Sequence, residues 1–216
     1  MKKSLLILTL VGCMIMSLSL ATMASNVYVE GFGGGTWKND INNQDGDLDL
    51  GFAVGGEYNF LDRYKIDLEY LSSTQEKADN GHDLDYDSYM VKFGYRVVKN
   101  DAFNLDLTLG YYDESYDDAA DTEIDGVLIG ADLNYLFNPK FSIAGSLGYS
   151  VDGSIDAKNK GYDGNDADIL ALKIQGNYHF TDKCSGYVGY RYVSSDIDSY
   201  DKITNYGPTL GAIFNF

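Results

Sequence analysis

Polar and apolar residues alternate along most of this chain with a period of two. In the closing segment Leu210, Ala212, Phe214 and Phe216 fall on one side, Thr209, Gly211 and Asn215 on the other, with Ile213 alone out of step. Such alternation marks a strand with one apolar face. The same rhythm predicts ten strands, near residues 26–37, 48–60, 64–75, 86–98, 103–112, 125–137, 141–151, 168–180, 185–195 and 204–216. The apolar face runs, for example, through Tyr89, Val91, Phe93, Tyr95 and Val97, and through Val127, Ile129, Ala131, Leu133, Tyr135 and Phe137. Each segment has about ten residues or more, the length that crosses a membrane at a tilt.

The connections are of two kinds. Short turns sit at Leu61-Asp62-Arg63, Lys99-Asn100-Asp101, Asn138-Pro139-Lys140 and Thr181-Asp182-Lys183-Cys184, and five longer polar loops join the other ends. Short turns at one rim and long loops at the other predict a closed antiparallel transmembrane β-barrel of ten strands, all-β in class, with an eight-stranded barrel as the alternative. Aromatic residues gather at both ends of the strands. Phe60, Tyr64, Tyr95, Phe103, Phe137, Phe141, Phe180 and Phe214 lie by the turns, and Trp37, Tyr70, Tyr89, Tyr111, Tyr149 and Tyr192 lie by the loops. A bilayer with two interfaces selects two such girdles. A secreted barrel with its apolar side inward would leave Lys92, Arg96, Lys173 and Arg191 outside and give no reason for paired girdles.

Composition fits this reading. The chain holds 24 Gly and 19 Tyr but 2 Pro in 216 residues, as suits curved strands with amphipathic aromatics at a water–lipid boundary. The first residues, Lys2 and Lys3, an apolar stretch from Leu5 to Leu20, then Thr22-Met23-Ala24, have the layout of a signal peptide cleaved after Ala24. Residues 1–24 are therefore expected to be removed and 25–216 to form the barrel. Leu10-Val11-Gly12-Cys13 also matches a lipoprotein cleavage box, which would acylate Cys13. Cleavage after Ala24 leaves Cys184 as the single thiol, too few for an internal disulfide.

Gly189-Tyr190-Arg191-Tyr192, the Gly-rich first strand ending Gly33-Gly34-Gly35-Thr36-Trp37, and the terminal aromatic resemble the small bacterial outer-membrane barrels of the OmpA, OmpX and Opa kind. The resemblance covers residues 25–216 as architecture. It implies residence in the bacterial outer membrane, contact with its lipid and lipopolysaccharide, and a closing strand in which Phe214 and Phe216 are read by the barrel assembly machinery.

Charge is unevenly spread. Loss of Lys2 and Lys3 takes the formal −17 to −19, and the loop segments carry −2 (38–47), −4 (76–87), −7 (113–125), −3 (152–168) and −2 (196–202), nearly all of it. An acidic surface of this kind argues against binding nucleic acid. Alternate residues of a strand share a face, so Asp83, Asp85 and Asp87 align, as do Asp121, Glu123 and Asp125, with the parity of the outward residues. These six are candidate ligands for a divalent cation such as calcium or magnesium bridging to lipopolysaccharide, although no segment completes an EF-hand loop and no cofactor is otherwise implied. The opposite parity sends Glu30, Asp49, Glu57, Asp67, Glu69, Asp106 and Asp132 inward with Lys65, Lys92, Arg96, Lys173 and Arg191. Mixed signs in a narrow lumen predict a network of paired charges, because isolated buried charges are costly.

These observations predict a surface or envelope-structural barrel with a lumen filled by paired charges. The rival is a narrow, cation-preferring channel for small solutes. No catalytic residue is identified, because His82 at a loop tip and His179 near a short turn lie at opposite ends and cannot serve one site, which leaves an outer-membrane hydrolase the least supported reading.

Overall fold

The computed structural model describes residues 25–33, 35–39, 44–48, 50–76, 83–117, 122–157, 162–197 and 201–216, and of 35–39, 44–48, 74–76, 83–84, 117, 157, 162–165, 197 and 201 the backbone alone. The segment expected to be a signal peptide, Cys13, Asp49, His82 and Asp121 lie outside the described residues. Twelve strand segments are found among the described residues: β1 (Ser25–Phe32), β2 (Gly35–Asn39), β3 (Gln44–Leu48), β4 (Gly51–Phe60), β5 (Tyr64–Glu76), β6 (Asp83–Lys99), β7 (Phe103–Asp117), β8 (Thr122–Asn138), β9 (Phe141–Ala157), β10 (Tyr162–Thr181), β11 (Cys184–Ile197) and β12 (Asp201–Asn215). Each of β4 to β12 is antiparallel to the next, β1 pairs with β4, and β1 pairs with β12 from Asn26↔Asn215 to Phe32↔Thr209. That last ladder closes a ten-stranded antiparallel barrel, and the Phe216 amide, donating to the Ser25 carbonyl at 3.0 Å, completes the seam.

The first hairpin is interrupted. β1 and β4 form its lower half, and β2 with β3 continue it upward between β12 and β5. Thr36 pairs with Tyr206 and Phe32 with Thr209, so among the described residues Gly207 and Pro208 have no ladder partner on that side of β12. Proline lacks a ladder donor and is tolerated at such a gap.

Alternation sets the two faces. Leu107, Leu109, Ile129, Leu133, Leu147, Leu172, Val188 and Leu210 are exposed on the outer wall, a surface that water would not tolerate at this extent. Inward positions include several glycines that let a long neighbour lie across the strand. A Cβ on Gly94 would stand 2.7 Å from Lys65 Cγ, and one on Gly211 2.3 Å from the Tyr187 ring.

Several strands run further than their outward alternation predicts. β8 has 17 residues and β10 has 20, where about 9–11 suffice to cross a membrane at a tilt. The extra length lies at the long-loop end, where the inward face changes character. Phe32, Ala53, Leu71, Tyr86, Tyr112, Tyr116, Ile124, Leu128, Ile155, Ala167, Ile169, Val193 and Ile203 form one buried cluster there. In that half the barrel is built like a water-soluble domain, with apolar side chains inside and carboxylates outside. A bulge in β9, where Val127 and Leu128 face Asp152 and Ser150, shifts that strand's inward parity so that Ile155 joins the core.

Candidate functional site

The barrel interior has three tiers. Nearest the short turns, Lys65 stands at the centre of four carboxylates, its Nζ 2.7 Å from Asp132, 3.2 Å from Asp67, 3.3 Å from Glu57 and 3.4 Å from Asp106. Lys92 lies 2.9 Å from Asp132 and 3.6 Å from Asp67. Arg96 grips Asp106 in a bidentate pair, Nε to Oδ1 at 2.7 Å and Nη2 to Oδ2 at 3.0 Å. The geometry follows from register: Asp67↔Lys92, Arg96↔Asp106 and Asp106↔Asp132 are directly opposed across neighbouring strands.

The middle tier couples β1, β5, β10 and β11. Arg191 donates to both oxygens of Glu69 at 2.7 and 2.8 Å and to Glu30 at 3.0 Å. Lys173 reaches the other Glu30 oxygen at 2.5 Å and lies over the rings of Tyr28 and Tyr187, 5.0 and 5.4 Å from their centroids. Tyr187 and Tyr28 donate to Glu30 and Glu69. All nine residues expected in a lumen charge network (Glu57, Asp67, Glu69, Lys92, Arg96, Asp106, Asp132, Lys173 and Arg191) face inward and take part, in two groups, with Lys65 and Glu30 as their hubs.

The charges line the lumen without filling it. A cavity of about 750 Å³ extends between them, from Asp62, Lys99 and Asn215 at the short-turn rim up to Met90, Leu128, Ala171 and Val193. Its upper lining, Met90, Leu128, Ala171 and Val193, belongs to or packs against the apolar core, the third tier. Beside the paired charges, the long-loop half of the interior holds the buried apolar cluster. Within that core lies Glu114, 1% exposed. Its Oε1 accepts from Ser195 at 2.6 Å and its Oε2 from Tyr112 at 2.8 Å and Tyr86 at 3.2 Å. Burial holds the Glu114 carboxyl above the usual carboxylate range, against the pull of these hydroxyls.

On the outer wall at the long-loop end, Asp85, Asp87, Glu123 and Asp125 share the outward face. Asp87 and Asp125 are hydrogen-bond acceptors: Tyr70 donates to Asp87 at 2.7 Å and Tyr111 to Asp125 at 2.8 Å, while Ser154 donates to the other Asp125 oxygen at 2.7 Å. Asp113 stands directly opposite Asp125, and burial, with Asp125 and then Glu123 adding repulsion, raises its carboxyl above the usual range. Among the described residues no group of three or more His, Cys, Asp or Glu side chains is drawn together as a metal site would need. Of the six candidate ligands, the Asp83 side chain and the whole of Asp121 lie outside the description.

His179 faces inward at the short-turn end, its Nε2 3.0 Å from Ser142 Oγ and its Nδ1 2.7 Å from Ser185 Oγ. Both serines are buried, so neither is offered to a substrate. Phe214 and Phe216 are exposed on the outer wall at the same rim.

The apolar core was the part that alternation did not announce. Where both faces of a strand are apolar, period two vanishes and a continuous run replaces it. Val127-Leu128-Ile129 and Ile169-Leu170-Ala171-Leu172 are such runs, and they were the available signal.

No protein-family description matches the chain, and no curated protein matches it in sequence. Solved structures do. The outer membrane protease OmpT from Escherichia coli superposes with a TM-score of 0.63 at 10% identity, over 92% of this chain and 100% of that one. The COG4313 outer membrane channel from Pseudomonas putida F1 superposes with a TM-score of 0.52 at 13% identity, over 91% and 97%. With its ten-stranded antiparallel closure, outward apolar wall and paired rims, this chain has the fold of the bacterial outer-membrane β-barrels.

Proposed function

We propose that the protein is an integral outer-membrane barrel with a surface or envelope-structural role, sealed against solute passage. One observation carries this reading: the buried core of Ile124, Leu128, Ile155, Ile169 and Val193, with its tyrosines, spans the long-loop half of the interior. An ion crossing it would leave its hydration shell with no partner in exchange, a cost of many kcal/mol. The tiers below support the same reading, because their charges are engaged with one another. The acidic loop end is then the working surface, presented to cations, lipopolysaccharide or a surface partner, while Phe214 and Phe216 serve recognition by the barrel assembly machinery. The fold is shared by proteins described as a protease and as a channel, so it assigns neither role.

Planar-bilayer recording at neutral pH tests the reading. Folded, heat-modifiable protein is expected to insert without conductance steps. Stable cation-selective steps would replace this reading with the narrow channel.

A further inference from the structure

Glu114 is out of place in a static core. It is fully buried, it lies beyond the outer aromatic row marked by Tyr111 on the same strand, and no cation approaches it among the described residues. Each surrounding element supplies something other than a counter-charge. β6 gives Tyr86, β7 itself Tyr112 and Tyr116, and β11 Ser195; β12 gives Asn205, which donates to the Tyr116 hydroxyl at 2.8 Å. β1, β4 and β5 contribute Phe32, Ala53 and Leu71, and β8, β9 and β10 contribute Ile124, Ile155 and Ile169. The charge whose field reaches the cluster is Arg191, already held by Glu30 and Glu69.

Hydroxyl groups both donate and accept. With Glu114 ionised, Ser195 and Tyr112 donate to it, and the single O–H of Tyr86 goes either to Glu114 or to Tyr112 across their 2.9 Å contact; with Glu114 protonated, its O–H donates to one of these hydroxyls and frees that group's own proton for a neighbour. The cluster therefore accommodates both states, at very different cost. The neutral acid belongs in a dry core, whereas the anion calls for water that this core excludes.

We propose that Glu114 is a proton-operated latch on the long-loop end of the barrel: protonated, it keeps that half dry and closed, and on ionising it admits water there. The latch rests on reading the core as a seal but fails independently of it, because a silent barrel can have a core indifferent to pH.

The linkage has a definite sign. A carboxyl that holds its proton more tightly in the closed state than in an opened, hydrated one favours closure fully at low pH and loses that contribution as pH rises through its closed-state value. Amide exchange at residues 112–116, measured on the folded barrel in lipid nanodiscs from acid to mildly alkaline pH and corrected for intrinsic rates, reads this directly. Protection in the unmodified chain is expected to fall about tenfold for each pH unit by which closure tightens proton binding. Glu114→Gln, neutral and isosteric, should keep most of the acid-pH protection as pH rises, losing only what Asp113 contributes, and the double variant Glu114→Gln with Asp113→Asn should be flat. Glu114→Ala should be less protected throughout with the same shallow profile, and Asp113→Asn alone should retain most of the slope. A flat profile in the unmodified chain, or an unchanged slope in Glu114→Gln, would overturn the latch. Conductance silence in either case would leave the seal standing.

Discussion

The Tyr111 hydroxyl donates to Asp125 across 2.8 Å on the outer wall, from one strand of a long-loop hairpin to the next. Tyr70 reaches Asp87 at 2.7 Å and Tyr149 reaches Asp168 at 3.0 Å in the same way. In all three hairpins the tyrosine sits diagonally from its aspartate, two residues off the directly paired position. The repeat joins the last aromatic row to the first carboxylates above it. A tyrosine of this kind keeps its ring against apolar neighbours and its hydroxyl toward water, as a boundary residue should.

The pairs are unequal. Tyr70 is buried against Phe52 and Tyr89, whereas Tyr111 is exposed. Tyr70→Phe should cost about 1 kcal/mol, the net worth of a sheltered hydrogen bond, in urea unfolding from lipid bilayers. Tyr111→Phe should leave the unfolding midpoint unchanged, because water replaces the lost donor to Asp125.

Lys65 is the most exacting side chain in the lumen. Its removal as Lys65→Met leaves Glu57, Asp67, Asp106 and Asp132 crowded together with Lys92 and Arg96 alone to compensate. Breaking a buried pair in this way costs about 3–5 kcal/mol, so equilibrium unfolding should register a loss of that size. Lys99→Met, at an exposed ion pair of 3.8 Å with Asp62, should register none. Equal effects from the two would mean that the first tier is solvated and does not act as a network.

Asp113 contributes to pH dependence with the sign of a raised acid. Repulsion from Asp125 and Glu123 across the hairpin, added to burial, favours its neutral form in the folded barrel. Its stabilising contribution is complete below the ordinary carboxylate range and is lost as pH rises through its folded value. Thermal melts between acid and neutral pH should show a smaller decline in Asp113→Asn than in the unmodified chain. An equal decline in both would remove Asp113 from the account.

Deleting Phe216 separates assembly from stability. The residue is exposed on the outer wall, and its backbone bonds Ser25 at the very end of the closing ladder. In cells, the truncated chain should reach the membrane at much reduced yield. Refolded from denaturant, it should melt close to the unmodified chain. A large loss of melting temperature on refolding would make Phe216 a structural closure and remove the need for a recognition role.

Much of this was legible in the residues, and the parts that were not have identifiable causes. Outward rows such as Val91, Phe93 and Tyr95 alternate cleanly because one side meets an apolar surroundings and the other a polar lumen. The inward charges follow from the same parity, which groups Asp67, Lys92, Asp106 and Asp132 from the sequence alone. Alternation cannot say which cation is the hub, since that depends on the glycine at position 94 leaving room for Lys65 to cross the strand. It also fails above Tyr111, where Tyr112, Leu128 and Ile169 turn apolar on the inner face and strand ends were expected too early. The interruption of the first hairpin at Gly33 and Leu50 has no signature beyond its glycines, which occur throughout the barrel.

The most direct test of the seal is ionic conductance of the unmodified barrel beside Ile124→Ser with Ile169→Ser, two wholly buried core positions. Both proteins are first checked for heat-modifiable folding. The account predicts silence from the unmodified chain and the appearance of small conductance steps in the double variant, as water enters the former core and joins the cavity below. Steady steps from the unmodified chain at neutral pH would contradict it.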